Sequence, residues 1–167
     1  LTKDLLKNLN DNLILTKQKI DEYPKSWEKV KKIIHEYEYV YTSSYYKKNI
    51  TSIVPISRSY FKIKEMIYDY EIQLKNENVV CLAEAPGGFI QCILETYNDS
   101  TIHGITLLSE DKKVPYWNKN LFHSKNIIFH KGIKENGDLY ELTNILLFIK
   151  DIGKNNCSFI TGDGGID

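Results

Sequence analysis

NVVCLAEAPGGFIQCILETY, residues 78–97, is the stretch on which the fold turns. It opens with NVVCLA (78–83), a short apolar run of the kind a buried strand shows. It closes with FIQCILETY (89–97), which reads as a helix. Between them stand Pro86 and the adjacent glycines Gly87 and Gly88. A glycine pair after a strand can be a tight turn, because glycine tolerates backbone angles that other residues avoid. It can equally be a cradle, with a ligand packed on main chain above a helix N-terminus.

The strand–helix alternation continues downstream. TIHGITLL (101–108) and NIIFH (126–130) read as strands, 142–149 as a helix, and CSFITG (157–162) as a last strand. Short apolar strands alternating with helices predict a doubly wound α/β fold with a parallel sheet. In such folds ligands bind beyond the carboxyl ends of the strands. Those ends fall at 83–84, Thr106, His130 and 162–163, so the glycine turn, the loop of Asp138 and Asp163 are expected along one edge.

Upstream the pattern is helical. Leu5, Leu9 and Leu13, with Leu6 and Ile20, recur at helical spacing and predict an amphipathic helix over 3–22. Pro24 is expected to break it, and Ser26 to cap a second helix through Ile33, Ile34 and Tyr37. The polar, aromatic YTSSYYKKNITSIVP (41–55) reads as a loop. A third helix is expected over 57–73, with Phe61, Met66, Ile67 and Tyr70 as its apolar stripe. The resulting division is a helical extension over 1–56 and an α/β part over 57–167.

Composition bounds the function classes. Of 167 residues, 42% are hydrophobic and 26% charged, the balance of a soluble globular domain. The longest apolar runs, such as NILLFI (144–149), are too short to span a bilayer. LTKDLLKNLNDN carries charges where a secretion signal would be apolar. Cys81, Cys92 and Cys157 have no CxxC spacing and lie in or beside apolar runs, so they are expected to be reduced, which points to a cytosolic or nuclear setting. His35, His103, His123 and His130 show no zinc-ligand spacing, and no metal is expected. The formal net charge is zero, yet residues 1–64 hold 13 Lys+Arg against 7 Asp+Glu, and residues 65–167 hold 9 against 15. The basic half suits an anionic partner such as RNA, although solvated helix faces give the same count.

The glycine turn is neither GxxxxGK[ST] nor GxGxxG, which leaves phosphate-rich nucleotides poorly matched. A nucleoside-like ligand fits better, one whose carboxylate meets helix N-terminal N–H groups and whose hydroxyl or ammonium groups meet acidic side chains. AEAPGGFIQ (83–91) resembles the cofactor motif of the FtsJ/RrmJ-type ribose 2′-O-methyltransferases. SRSYFKIKEMI (57–67) resembles that family's lysine-bearing helix, NGDLYELTNI (136–145) its adenine-contacting loop, and TGDGGID (161–167) its catalytic-aspartate motif in the form seen in cap-methylating, viral-like members. The four occur in the family's order.

The resemblance implies a Rossmann-like methyltransferase fold, S-adenosyl-L-methionine as cofactor and RNA as substrate, capped mRNA being favoured over ribosomal RNA. It implies Lys62 and Asp163 as the first two members of a Lys-Asp-Lys-Glu tetrad. It also implies cofactor contacts from Glu84, Ala85, Pro86, Gly87, Gly88, Phe89, Thr106, Asp138 and Asp163. Thr106 stands where many relatives carry an acid, and Glu110 or Asp111 could substitute. The family's second lysine and its glutamate are expected beyond Asp167, so the sheet is expected to be cut short, with an exposed edge. A viral replication site or virion joins the cytoplasm as an expected location.

The bland alternatives stay open. Lys62 could be a solvated helix lysine, Asp163 a turn residue and Asp138 a helix N-cap. Tyr39, Tyr41, Tyr45 and Tyr46 could stack on bases or pack against a protein partner. The same fold could also serve as a catalytically silent binding subunit.

Overall fold

The computed structural model describes residues 3–27, 30, 39–41 and 49–164. The chain forms two compact units, Leu1–Val54 and Pro55–Asp167.

In the first unit, helix α1 spans Lys3–Asp21. Its leucine stripe lies open: Leu5, Leu6, Leu9 and Leu13 are all exposed. Pro24 does not separate this helix from a cap at Ser26. Residues 24–27 are already helical, so Pro24 sits in a first turn, where its missing N–H costs nothing. The remainder of the expected second helix, through Ile33, Ile34 and Tyr37, lies outside the described residues, as do Tyr45 and Tyr46.

The second unit runs α2 (Ser59–Asp69), β1 (Asn78–Leu82), α3 (Gly88–Thr96), β2 (Thr101–Ile105), a 3-10 helix (Lys119–His123), β3 (Ile127–His130), α4 (Leu142–Ile152) and β4 (Phe159–Gly162). The four strands form one sheet in the order β3-β2-β1-β4. All pairings are parallel, with Val80 opposite both His103 and Ile160. The expected parallel α/β sheet is therefore observed. Because the chain winds outward from β1 to β3 and then returns to β4, strand order reverses between β1 and β4. The crevice beyond their carboxyl ends is where such a sheet receives a ligand.

Side-chain alternation divides the core between the two sheet faces. On one face Val80 and Ile105 pack with Phe148 and Ile152 of α4. On the other lie Val79, Cys81 and Ile102, all buried, and Gly104, where Ile90 of α3 meets Trp117. Burial pushes the Cys81 thiol up to about 12. Cys92 is buried too, Cys157 is half-buried, and all three thiols are free. An apolar cleft of about 550 Å³, lined by Leu82, Phe148, Ile149 and Ile160 among others, opens between α4 and β4.

Three local differences from the sequence expectation have clear causes. The buried stripe of α2 is Tyr60, Ile63 and Ile67, whereas Met66 and Tyr70 are exposed. Positions 60, 63 and 67 share one helical face, and the more hydrophobic-looking set does not. β2 stops at Ile105 because the next residues receive another loop, Leu108 N–H donating to Asn136 O at 2.6 Å. The 3-10 helix shows no periodicity over its five residues. It is started by Asn118, whose side chain accepts from Asn120 N–H at 3.0 Å.

Candidate functional site

The glycine turn begins with strain. Ala83, directly after β1, holds φ +50, and its N–H donates to Ile105 O at 2.8 Å. An L-residue there costs on the order of 1 kcal/mol, so the departure angle from β1 is imposed by the turn that Ala83 enters. Gly87 N–H closes that turn on Glu84 O at 2.9 Å, Gly87 takes φ +112, and α3 starts at Gly88.

Glu84 governs this turn from beneath. It is 2% exposed, and its carboxylate accepts from Phe89 N–H at 2.7 Å and Ile90 N–H at 3.5 Å. It thus caps the helix that it precedes. Burial pushes its carboxyl up to about 7; the N–H bonds pull the other way, and the nearby Asp163 adds to the rise. The first N–H groups of α3 are therefore already in use by the protein's own carboxylate, rather than being the ligand-carboxylate site that the sequence suggested.

The structure also supplies an internal reason for each glycine. A Cβ at Gly87 would stand 2.2 Å from Leu121 Cδ1 of the 3-10 helix. A Cβ at Gly88 would stand 2.2 Å from Ser57 Oγ, 2.3 Å from Ser59 Oγ and 2.9 Å from Tyr60 N. The turn is enclosed by protein on these sides, while Ala85 and Pro86 remain partly exposed.

Across the crevice, Lys62 Nζ donates to Asp163 Oδ1 at 2.9 Å. Lys62 comes from α2 and Asp163 from the segment after β4, 101 positions later in the chain. Their side chains are 60% and 30% exposed, so the pair contributes at most about 1 kcal/mol to stability. It fixes the lysine's position.

A second loop reaches the same edge of the sheet. Gly137 (φ +63) lies so close to β2's end that a Cβ would be 1.9 Å from Thr106 O. Thr106 itself is buried. Asp138 N–H donates to Asn136 Oδ1 at 3.2 Å, and Asp138 Oδ1 accepts from Tyr140 N–H at 2.8 Å. Asp138 therefore organises the turn ahead of α4 and is not its N-cap, which is Glu141. The whole loop hangs on Asn144, 0% exposed. Its Oδ1 accepts from Lys134 N–H at 3.0 Å, and its Nδ2 donates to Asn136 Oδ1 at 2.8 Å and Asp138 O at 3.0 Å. Glu110 and Asp111 are exposed, and Asp111 Oδ1 accepts from Lys113 N–H at 2.9 Å.

Of the residues proposed from sequence, Lys62 and Asp163 meet directly. Glu84, Ala85, Pro86, Gly87, Gly88 and Phe89 form one turn beside β1, and Thr106 and Asp138 are joined through Gly137. Sequence reasoning missed Ser57, Ser59 and Asn144. Asn144 had a signal, a lone amide opening the apolar run NILLFI; the serines stood inside the SRSYFKIKEMI motif, where only the lysine was singled out.

A family model described as FtsJ-like methyltransferase matches residues 55–167. No curated protein sequence matches the chain. A solved structure from Plasmodium falciparum, provisionally described as a ribosomal RNA methyltransferase, is similar at 20% identity with a TM-score of 0.44. The similarity covers 67% of this chain, and the chain spans 57% of the length of that protein.

Proposed function

The chain belongs to the FtsJ-like methyltransferase family, and from that premise we propose that it serves transfer of a methyl group from S-adenosylmethionine to a ribose 2′-OH of RNA, in the 5′ cap region of mRNA. The observation that carries the reading is the Lys62–Asp163 contact of 2.9 Å at the β1/β4 crevice, beside the glycine turn.

The donor set suits this cofactor. With Glu84 seated on the α3 N-terminus, the N–H groups that a phosphate-bearing ligand would need are already taken. A nucleoside carrying a cationic centre is the better match. Residues 85–89 and Asp163 would hold it, with Asp138 and Thr106 toward the base and ribose. When bound, it supplies an electrophilic methyl carbon. Lys62 then steers the ribose hydroxyl or, as the neutral amine, takes its proton: one N–H is committed to Asp163, and the rest of the nitrogen is left for the substrate hydroxyl. Asp163 keeps the lysine aligned, and alignment of this kind supplies a large share of such a rate.

The cap assignment is supported by the Asp163–Gly164 sequence context and its likeness to cap-methylating members. We assign the methyltransferase part to 57–167, and the extension over 1–56 to contact with a protein partner or RNA. The cytoplasm or a viral replication site is the proposed location. Among the described residues, no helix is long and apolar enough to cross a membrane.

Calorimetry with S-adenosylmethionine and methyl transfer to capped and uncapped RNA test the reading. In the full-length protein, the wild type is expected to bind the cofactor and to prefer capped RNA. Lys62→Ala is expected to bind cofactor as the wild type does and to lose at least about 100-fold in kcat. Absence of cofactor binding would leave a silent binding subunit; preference for ribosomal RNA would replace the cap assignment.

A further inference from the structure

We propose that Gly88 is a joint between the cofactor turn and the lysine-bearing helix, and that Ser57 and Ser59 are positioning residues which set Lys62 through it. The inference rests on the proposed role of Lys62 in the transfer.

The joint is built from three contacts. Ser57 and Ser59 Oγ atoms lie 2.5 Å apart in a hydrogen bond, and both face the bare Cα of Gly88 closely enough that a Cβ would collide with them. Because the hydroxyls hold one another, neither is a loose side-chain end that could swing aside. The third neighbour, Tyr60 N, is backbone of the first turn of α2. Lys62 lies within that same turn, so a displacement at Ser59 is carried to it rigidly.

α2 is also tied to the later turns of α3. Tyr60, 1% exposed, donates its hydroxyl to Glu95 Oε2 at 2.6 Å. Glu95 Oε1 accepts from Gln91 Nε2 at 3.0 Å, and Gln91 Oε1 accepts from Ile56 N–H at 2.7 Å. A push at Gly88 therefore strains a helix already tied to α3 through Tyr60, and Lys62 moves relative to Asp163. Two motifs that are separate in sequence, 57–62 and 83–91, act as one body.

The test is a mutant cycle on the full chain between Gly88→Ala and the pair Ser57→Ala/Ser59→Ala. It is read as urea stability, S-adenosylmethionine affinity and kcat. Gly88→Ala is expected to lose about 100-fold in kcat at saturating S-adenosylmethionine. Adding the serine truncations is expected to restore part of kcat and to raise stability, with the Tyr60 N contact of 2.9 Å remaining, although the same truncations lower stability in the wild-type background. Additive stability effects would overturn the joint, as would loss of cofactor affinity without rescue by the serine changes. Should Gly88→Ala not fold, Tyr60→Phe decides: a fall in kcat at unchanged affinity supports the joint, and unchanged kcat overturns it. A wild type that neither binds cofactor nor transfers methyl sinks the proposed function, while the stability cycle still judges the joint.

Discussion

Glu84 shows how much one side chain can govern. An acid directly after a buried strand invites assignment to a ligand, yet this one is consumed by Phe89 and Ile90 N–H. Replacing it with alanine strands a buried N–H and is expected to cost about 1–3 kcal/mol in urea unfolding. Its pH dependence has a definite sign. Burial raises the folded value to about 7 from 4.5, with Asp163 (itself held by Lys62) and Cys81 the ionisable groups around it. Stability from this group is complete below pH 4.5 and is lost as pH rises through 7. Glu84→Gln, an isostere of the protonated acid, should therefore gain on the wild type across that window. A difference that stays constant from about pH 4.5 to about pH 8 would show that Glu84 does not titrate there.

Among the elements, the loop between β3 and α4 depends most on a single support. Lys134, Asn136 and Asp138 all bond Asn144, so the loop's shape is set by an amide buried in the first turn of α4. Asn144→Leu removes those partners at near-constant volume and is expected to destabilise by about 2–4 kcal/mol in urea unfolding. Its cost should exceed that of Thr143→Leu on the exposed side of the same turn. Equal costs would mean that the loop supports itself. The prediction for α2 is the joint at Gly88, where the helix's placement matters more than its own stability.

Across the whole domain, stability at mild acid is set by a histidine pair that bridges three strands and α4. His103 Nδ1 and His130 Nε2 lie 3.0 Å apart, Asn78 Oδ1 is 3.4 Å from His103 Nε2, and Asp151 Oδ2 is 3.6 Å from His130 Nδ1. Burial lowers both imidazoles; His130 adds to the lowering at His103, and Asp151 partly offsets it at His130. A base lowered on folding leaves the unfolded chain to take the proton first, so stability falls as pH drops below about 6.5. The thermal midpoint is expected to decline between about pH 7 and pH 5, and His103→Asn/His130→Gln should flatten that decline. An equally steep decline in the double variant would move the cause elsewhere, since Glu84 acts with the opposite sign over the same range.

Alternation of strand and helix, the parallel sheet and the order of the motifs were legible in the linear chain. They depend on local periodicity and on turn residues, which neighbouring positions specify. Helix and strand ends were less legible, as α2 and β2 show, because packing partners trim them. The duties of Glu84 and Gly88 were not written locally, and Asn144 showed only as a lone amide opening an apolar run. Each is defined by atoms brought from elsewhere: the α3 amides folded back over the acid, Ser57 and Ser59 from the lysine-bearing motif, and the loop hung on the amide. The meeting of Lys62 with Asp163 is of the same kind, since a contact across 101 positions exists only after β4 has returned to lie beside β1. Short-range pattern is carried by covalent order, whereas such neighbours are chosen by the packing of a closed core.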